Sequence, residues 1–84
     1  MEAYKKRTQE VVDLFRRREL SFPESIAALD AALTKLMRKL DAEELPALRA
    51  VMLATNARIM KEMERREHKR IKQRERRQAK LKKT

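Results

Sequence analysis

Arginine and lysine account for most of the side chains in this sequence that could take part in chemistry. The chain has 84 residues, of which 23 are Lys or Arg and 13 are Asp or Glu, so its formal net charge is +10. Guanidinium and ammonium groups bind phosphate oxygens through charge-assisted hydrogen bonds. The composition therefore favours a polyanion, such as nucleic acid, as the partner.

The positive charge is concentrated at the C-terminal end of the chain. Residues 1–63 carry 12 basic and 10 acidic side chains, whereas residues 64–84 carry 11 basic and 3 acidic ones, a net charge of +8. Apolar residues are dense up to Met63, and only Ile71, Ala79 and Leu81 lie beyond it. We therefore divide the chain into a small helical bundle, residues 1–63, and a basic tail, residues 64–84.

The basic side chains of the tail fall on one side of a predicted helix. At 100° per residue, most of them lie within an arc of about 160°, whereas Glu64, Glu67 and Glu75 gather on the opposite side. We call this set the basic arc, and its members are Arg65, Arg66, Lys69, Arg70, Lys72, Arg76, Arg77, Lys80 and Lys83. A one-sided cationic helix suits a phosphate backbone, because each neutralised phosphate releases a condensed counterion.

The sequence offers little for reading bases. No aromatic residue follows Phe22, so the tail cannot stack on unpaired bases. We therefore expect electrostatic binding of low sequence specificity, for which duplex DNA, structured RNA and ribosomal RNA are all open as partners. The competing interpretation of the tail is a solvated charged end that keeps the protein in solution or docks on an acidic protein.

Other kinds of chemistry find few suitable residues. The sequence has one histidine, His68, and no cysteine, which excludes disulfides, thiolate zinc sites and a thiol nucleophile. It has no glycine, which excludes the glycine-rich loops that wrap phosphates of nucleotides. We therefore predict a protein that is not an enzyme and has no catalytic residue, metal, cofactor or small-molecule substrate.

Three segments with helical apolar spacing must position the basic residues. The first runs from about Ala3 to Glu19, the second from a capping box at Ser21 and Glu24 to Leu40, and the third from near Pro46 to the end. We predict an all-α fold, a three-helix bundle (up-down-up) whose third helix extends into the basic C-terminal tail. The alternative is a dimeric hairpin of the second and third helices, with the first packed loosely.

Two further features follow from this arrangement. The end of the first helix should lie beside the root of the tail, where Arg16, Arg17 and Arg18 extend the basic surface. The second segment has the most regular apolar pattern in the chain, a 3-4-3-4 spacing typical of coiled coils. Its members are Ile26, Leu29, Leu33, Leu36 and Leu40.

The third segment also carries an apolar stripe beside its core face, which suits a protein interface. The stripe consists of Ala50, Leu53, Ala57 and Met60. If the first helix leaves it uncovered, it could serve as the seam of a homodimer or receive a helical protein partner. The alternative function is therefore a helical protein–protein interaction adaptor.

A membrane is the least favoured partner. Ile71 and Leu81 do not make the continuous apolar face of an interfacial helix. No apolar run reaches the ~20 residues of a membrane span, and we find no secretory signal. We expect a cytoplasmic location, at the nucleoid or the ribosome if the partner is nucleic acid.

Overall fold

The chain folds into three α-helices, which we label in order. The computed structural model describes the backbone of residues 1–82 and the side chains of residues 1–80. The helices are α1 (Glu2–Arg16), α2 (Phe22–Met37) and α3 (Leu45–Lys82), and a 3₁₀ turn at Ala42–Glu44 precedes α3. The predicted all-α arrangement of three helices with a long third helix is confirmed, although α1 and α2 each end three residues earlier than predicted.

α1 ends in a Schellman motif that has arginine where glycine is usual. The backbone N–H of Glu19 donates to the Leu14 carbonyl at 2.9 Å, and that of Arg18 donates to the Phe15 carbonyl at 3.1 Å. Arg18 has a φ of 63°, a left-handed conformation that costs a non-glycine residue roughly 1–2 kcal/mol. The turn after α1 therefore stores backbone strain at an arginine.

The predicted capping box starts α2. The Ser21 Oγ accepts from the Glu24 N–H at 3.2 Å, and the Glu24 carboxylate accepts from the Ser21 N–H at 3.1 Å. The bond from the Ser21 backbone is the main reason that the pKa of Glu24 lies below its usual value. The weaker capping pattern before α3 behaves differently, because the Asp41 side chain makes no capping hydrogen bond.

α1 is the central helix of the bundle. Val12 and Phe15 are fully buried and form the core with Ile59 of α3, and Leu29 of α2 packs against this cluster. α1 contacts both other helices, whereas no pair of described Cα atoms from α2 and α3 lies within 8 Å. The alternative in which the first helix packs loosely is therefore wrong.

The contacts between α1 and α3 fix the relative direction of the two helices. The Arg58 guanidinium donates to the Gln9 side chain, and that of Arg66 donates to the Phe15 carbonyl. Residue numbers rise together along both helices, so α1 and α3 run in the same direction.

α3 is much longer than its neighbours. Among the side chains of α3 that the structure describes, Arg66 is the last that is not exposed, and every residue from 67 to 80 is exposed. The molecule is accordingly elongated, 65 Å along its major axis and 22 Å along the next. Among the described residues, no helix has the length and apolar content that a membrane crossing requires.

Candidate nucleic-acid interface

α3 leaves the bundle beside the turn between α1 and α2, and the two form a concave corner. An open cleft of about 630 Å³ lies between them. Its lining comprises Arg18, Glu19, Leu20, Ser21 and Glu24 from the turn, and Arg66, Lys69, Arg70 and Gln73 from α3. We call this cleft and its lining the basic corner, since four of its side chains are cationic and two are anionic.

The basic arc turns towards this corner because of helical periodicity. Eighteen residues make five full turns of an α-helix, so Arg66 repeats the position of buried Leu48, and Arg77 repeats that of buried Ile59. The face that packs against α1 in the bundle thus continues as the basic arc beyond it. Of the basic arc, Arg66, Lys69 and Arg70 line the basic corner beside the end of α1.

Arg66 is the joint between the bundle and the projecting segment. Its Nη2 donates to the Phe15 carbonyl at 2.6 Å, and its Nε donates to the Glu62 carboxylate at 3.1 Å. Its Cζ lies 4.3 Å from the centroid of the Phe15 ring, a cation–π distance. With 25% of its side chain exposed, Arg66 is engaged within the fold rather than held out to solvent.

Glu62 holds the two arginines at this end of the bundle, and the sequence pattern did not predict it. Its side chain is 7% exposed and accepts two bonds from Arg65, at 2.9 Å from Nε and 2.6 Å from Nη2. These bonds are the largest cause that lowers the pKa of Glu62 to about 2, and Arg66 adds to the effect. The same pair raises the pKa of Arg65. The sequence does carry a signal for this pairing. An acidic residue on the apolar face precedes Arg65 by three residues and Arg66 by four, which are the spacings at which side chains pair on a helix.

The remaining members of the basic arc are exposed on the projecting segment. Those that the structure describes are Lys69, Arg70, Lys72, Arg76, Arg77 and Lys80. Among the described residues after Arg66, the one ion pair joins Arg70 to Glu67 at 3.7 Å. Lys83 lies outside the described residues. The segment therefore presents cationic groups that are mostly available to a partner.

The structure separates the three arginines at the end of α1. Arg18 lines the basic corner, close to Lys69 and Arg70 of α3. Arg16 and Arg17 are exposed at the same end of α1 but do not line the cleft. Arg17 instead donates from Nε to the Asp13 carbonyl at 3.4 Å.

The apolar stripe on α3 is uncovered. Ala50, Leu53, Ala57 and Met60 are all exposed, with exposed fractions of 64% for Leu53 and 54% for Met60. α1 packs on another face of α3, so the stripe stays open to a protein partner.

Comparisons of the chain with protein-family models, with curated proteins and with solved structures found no match. Within the described residues, no group of three His, Asp or Glu side chains has the proximity that a metal site needs.

Proposed function

We propose that this protein binds the phosphate backbone of nucleic acid, without enzymatic activity and with low sequence specificity. The observation that supports the proposal is the one-sided cationic helix, which is exposed from residue 67 to 80 and faces the corner that Arg18 lines. The proposed location is the cytoplasm, with nucleoid DNA or ribosomal RNA as the partner.

The spacing of the cations suits a polyanion. From Lys69 to Lys80 the helix rises about 16 Å, a distance over which duplex DNA carries roughly nine phosphate charges. Over this length the duplex therefore carries more phosphate charges than the basic arc has cations. If about five phosphates are neutralised, log K should fall with log salt at a slope of about −4.5.

The joint at Arg66 gives this surface its shape. Arg66 links α3 to the Phe15 carbonyl near the end of α1, and Glu62 accepts hydrogen bonds from the Arg65 and Arg66 guanidinium groups. The projecting helix and Arg18 are thereby kept on two sides of one cleft. In this proposal Arg66 is a positioning residue, and the exposed cations beyond it contact phosphate.

The test is fluorescence anisotropy of the full chain with random duplex DNA and with structured RNA at several salt concentrations. A triple variant, Lys69→Gln, Arg70→Gln and Arg77→Gln, should bind more weakly and lose about 2.7 from the salt slope. The matched control is Lys5→Gln, Lys6→Gln and Lys39→Gln, which removes the same charge from exposed sites at the other end of the bundle.

The control decides between local contact and bulk charge. If both triple variants lose the same affinity, binding reports net charge alone and the proposed interface is wrong. If only the tail variant loses affinity, the RNA-to-DNA ratio then identifies the preferred substrate.

A second candidate function is a protein–protein interaction adaptor. The exposure of Leu53 and Met60 favours it, because large apolar side chains open to water often mark a protein contact. Absence of binding to either nucleic acid near physiological salt would favour this candidate, with the tail as a solubilising or acid-docking element.

A further inference from the structure

A second cleft lies beside the start of α1, at the opposite end of that helix from the basic corner. Its volume is about 570 Å³, within the range of roughly 300–1,000 Å³ that is usual for small-molecule sites. The later part of α2 forms its apolar wall with Ala28, Ala31, Ala32 and Leu36, and Glu44 of the 3₁₀ turn lies at its edge. We call this cleft the alanine groove. Its small side chains leave space that longer ones would fill.

Tyr4 contributes a polar group to the α1 side of the alanine groove. The residue is 6% exposed and lines the groove. The described side-chain hydrogen bonds nearby belong to residues 7–9, and none involves the Tyr4 hydroxyl. Every fully enclosed polar side-chain atom among the described residues has a hydrogen-bond partner, so the Tyr4 hydroxyl must reach open space, which the groove provides.

The Tyr4 hydroxyl is suited to donate a hydrogen bond to a ligand. Burial raises the pKa of Tyr4 above its usual value, so the phenol keeps its proton at neutral pH. A tyrosine hydroxyl that is buried usually has a hydrogen-bond partner. The alanine groove therefore offers a donor to an acceptor that comes from outside the chain.

The charges around the alanine groove favour an anion. Lys35 and Lys39 line it and are exposed, and none of the ion pairs among the described residues includes either lysine. Arg7 is a third cation of the lining, although it is paired with Glu10 at 2.7 Å. Against these three cations the lining has one acidic residue, Glu44. An apolar wall thus adjoins a surplus of positive charge.

We propose that the alanine groove binds a small anionic amphiphile, a molecule with a carboxylate and an aliphatic chain, such as a medium-chain fatty acid. The aliphatic chain lies on the alanine and leucine wall of α2, where burial of its methylene groups drives binding. The carboxylate accepts from the Tyr4 hydroxyl and pairs with Lys35 and Lys39.

A protein helix suits the alanine groove less well than a small molecule does. A helix is roughly 10–12 Å across with its side chains, and its backbone carbonyls are already hydrogen-bonded along the helix. It therefore brings no free carbonyl to a hydroxyl on a residue that is 6% exposed. A single aliphatic chain is narrower, and its terminal carboxylate carries free acceptors and the complementary charge.

The test is an NMR titration of the full chain, labelled with ¹³C at the alanine methyl groups, with sodium octanoate below its micelle concentration. We expect saturable shifts of the methyl signals of Ala28, Ala31 and Ala32. Two exposed alanines, Ala57 on α3 and Ala79 in the basic tail, are internal controls whose signals should not move. 1-Octanol has the same chain length without the charge and should bind at least tenfold more weakly.

Variants of the polar groups identify what holds the carboxylate. Tyr4→Phe keeps the ring and removes the hydroxyl, so it should weaken octanoate binding severalfold. Lys35→Gln with Lys39→Gln should weaken it about tenfold. The matched control is Lys5→Gln with Lys6→Gln, which removes the same charge from exposed sites of α1 outside the groove and should leave the affinity unchanged. Circular dichroism verifies that each variant is helical.

Several results would overturn the proposal. Absence of a saturable shift in the natural chain would do so without any variant, and shifts confined to Ala79 would show that octanoate collects on the basic tail. Equal binding of octanol, or equal losses in the groove and control variants, would show that the carboxylate has no site. If a helical peptide of Leu and Glu moved the signals of Ala28 and Ala32 where octanoate did not, the groove would belong to an acidic protein partner.

Discussion

Arg66 and Arg70 are one helical turn apart on α3, yet they belong to different regions of the molecule. Arg66 lies in the bundle, has 25% of its side chain exposed and bonds to Glu62 and Phe15. Arg70 lies on the projecting segment, has 70% of its side chain exposed and makes one long ion pair with Glu67. The end of α1 contributes to this difference, because Arg66 contacts the Phe15 carbonyl and ring, whereas Arg70 pairs only with Glu67 of its own helix.

The comparison shows that the same residue type stabilises the fold in one region and remains available to a partner in the next. In the bundle, an arginine has lost part of its hydration, and hydrogen bonds to fixed acceptors compensate for this cost. On the projecting segment, an arginine is hydrated and any surface ion pair is worth little. Substitutions on either side of this boundary test where it lies along α3.

The largest effect should come from removing the aromatic ring on which Arg66 rests. Phe15 is fully buried, and Phe15→Ala should cost about 3–5 kcal/mol of unfolding free energy, enough to unfold a bundle of this size. Ile71→Ala, on the projecting segment, should change it by no more than about 0.5 kcal/mol. Thermal denaturation followed by circular dichroism measures both. Similar losses in the two variants would show that residue 71 also belongs to a cooperative core.

Glu62→Gln should have the next largest effect. It removes a buried negative charge that accepts three hydrogen bonds from Arg65 and Arg66. A hydrogen bond to a charged group contributes about 1.5–3 kcal/mol to the unfolding free energy. We expect a loss of about 2 kcal/mol in unfolding free energy. Glu64→Gln, at an exposed site two residues later, should be nearly neutral. Urea unfolding at one protein concentration compares the two.

The low pKa of Glu62 also predicts how stability depends on pH. The pKa falls from 4.5 to about 2 on folding, so the unfolded chain binds the proton more readily. The stability from this group is therefore fully present above about pH 4.5 and is lost as pH falls towards 2. Urea midpoints measured across this window should fall steeply in the natural chain. Glu62→Gln should flatten the curve, and an unchanged slope would show that other carboxylates dominate.

The three helices could be predicted from the sequence because they depend on local rules. The capping box at Ser21 and the apolar spacing of α2 are readable from neighbouring residues. The roles of Arg66 and Glu62 were not readable in this way, because they depend on where the end of α1 meets α3. The contact between Phe15 and Arg66 is a tertiary contact, and the apolar periodicity of each helix does not predict it.

A paired substitution on either side of the boundary separates positioning from binding. Arg66→Gln should lower the unfolding free energy by about 1–2 kcal/mol and weaken nucleic-acid binding indirectly. Arg70→Gln should leave stability within about 0.5 kcal/mol and reduce the salt slope by about 0.9. Denaturation gives the unfolding free energy of each variant, and anisotropy gives the salt slope of each. If Arg70→Gln leaves the slope unchanged, Arg70 does not contact phosphate.

The smallest expected change in unfolding free energy concerns Arg18, which lies where the two regions meet. Arg18 has a strained backbone, and its side chain is a candidate for binding nucleic acid. Glycine adopts its φ of 63° without steric cost, so Arg18→Gly should raise the unfolding free energy by about 1 kcal/mol. The same change should weaken nucleic-acid binding, because it removes one cation from the basic corner. Opposite signs in the two measurements are the expected result.

Asparagine at position 18 completes this test, since it tolerates the left-handed conformation but carries no charge. Arg18→Asn should lose as much affinity as Arg18→Gly while gaining less stability. A glycine variant that is more stable and binds as well as the natural chain would show that Arg18 does not contact the partner. The arginine would then occupy a strained position without a binding role, and the interface would be confined to the projecting helix. Backbone strain at a non-glycine residue persists where the surrounding structure enforces it, so the sign of the affinity change decides whether binding is part of the reason.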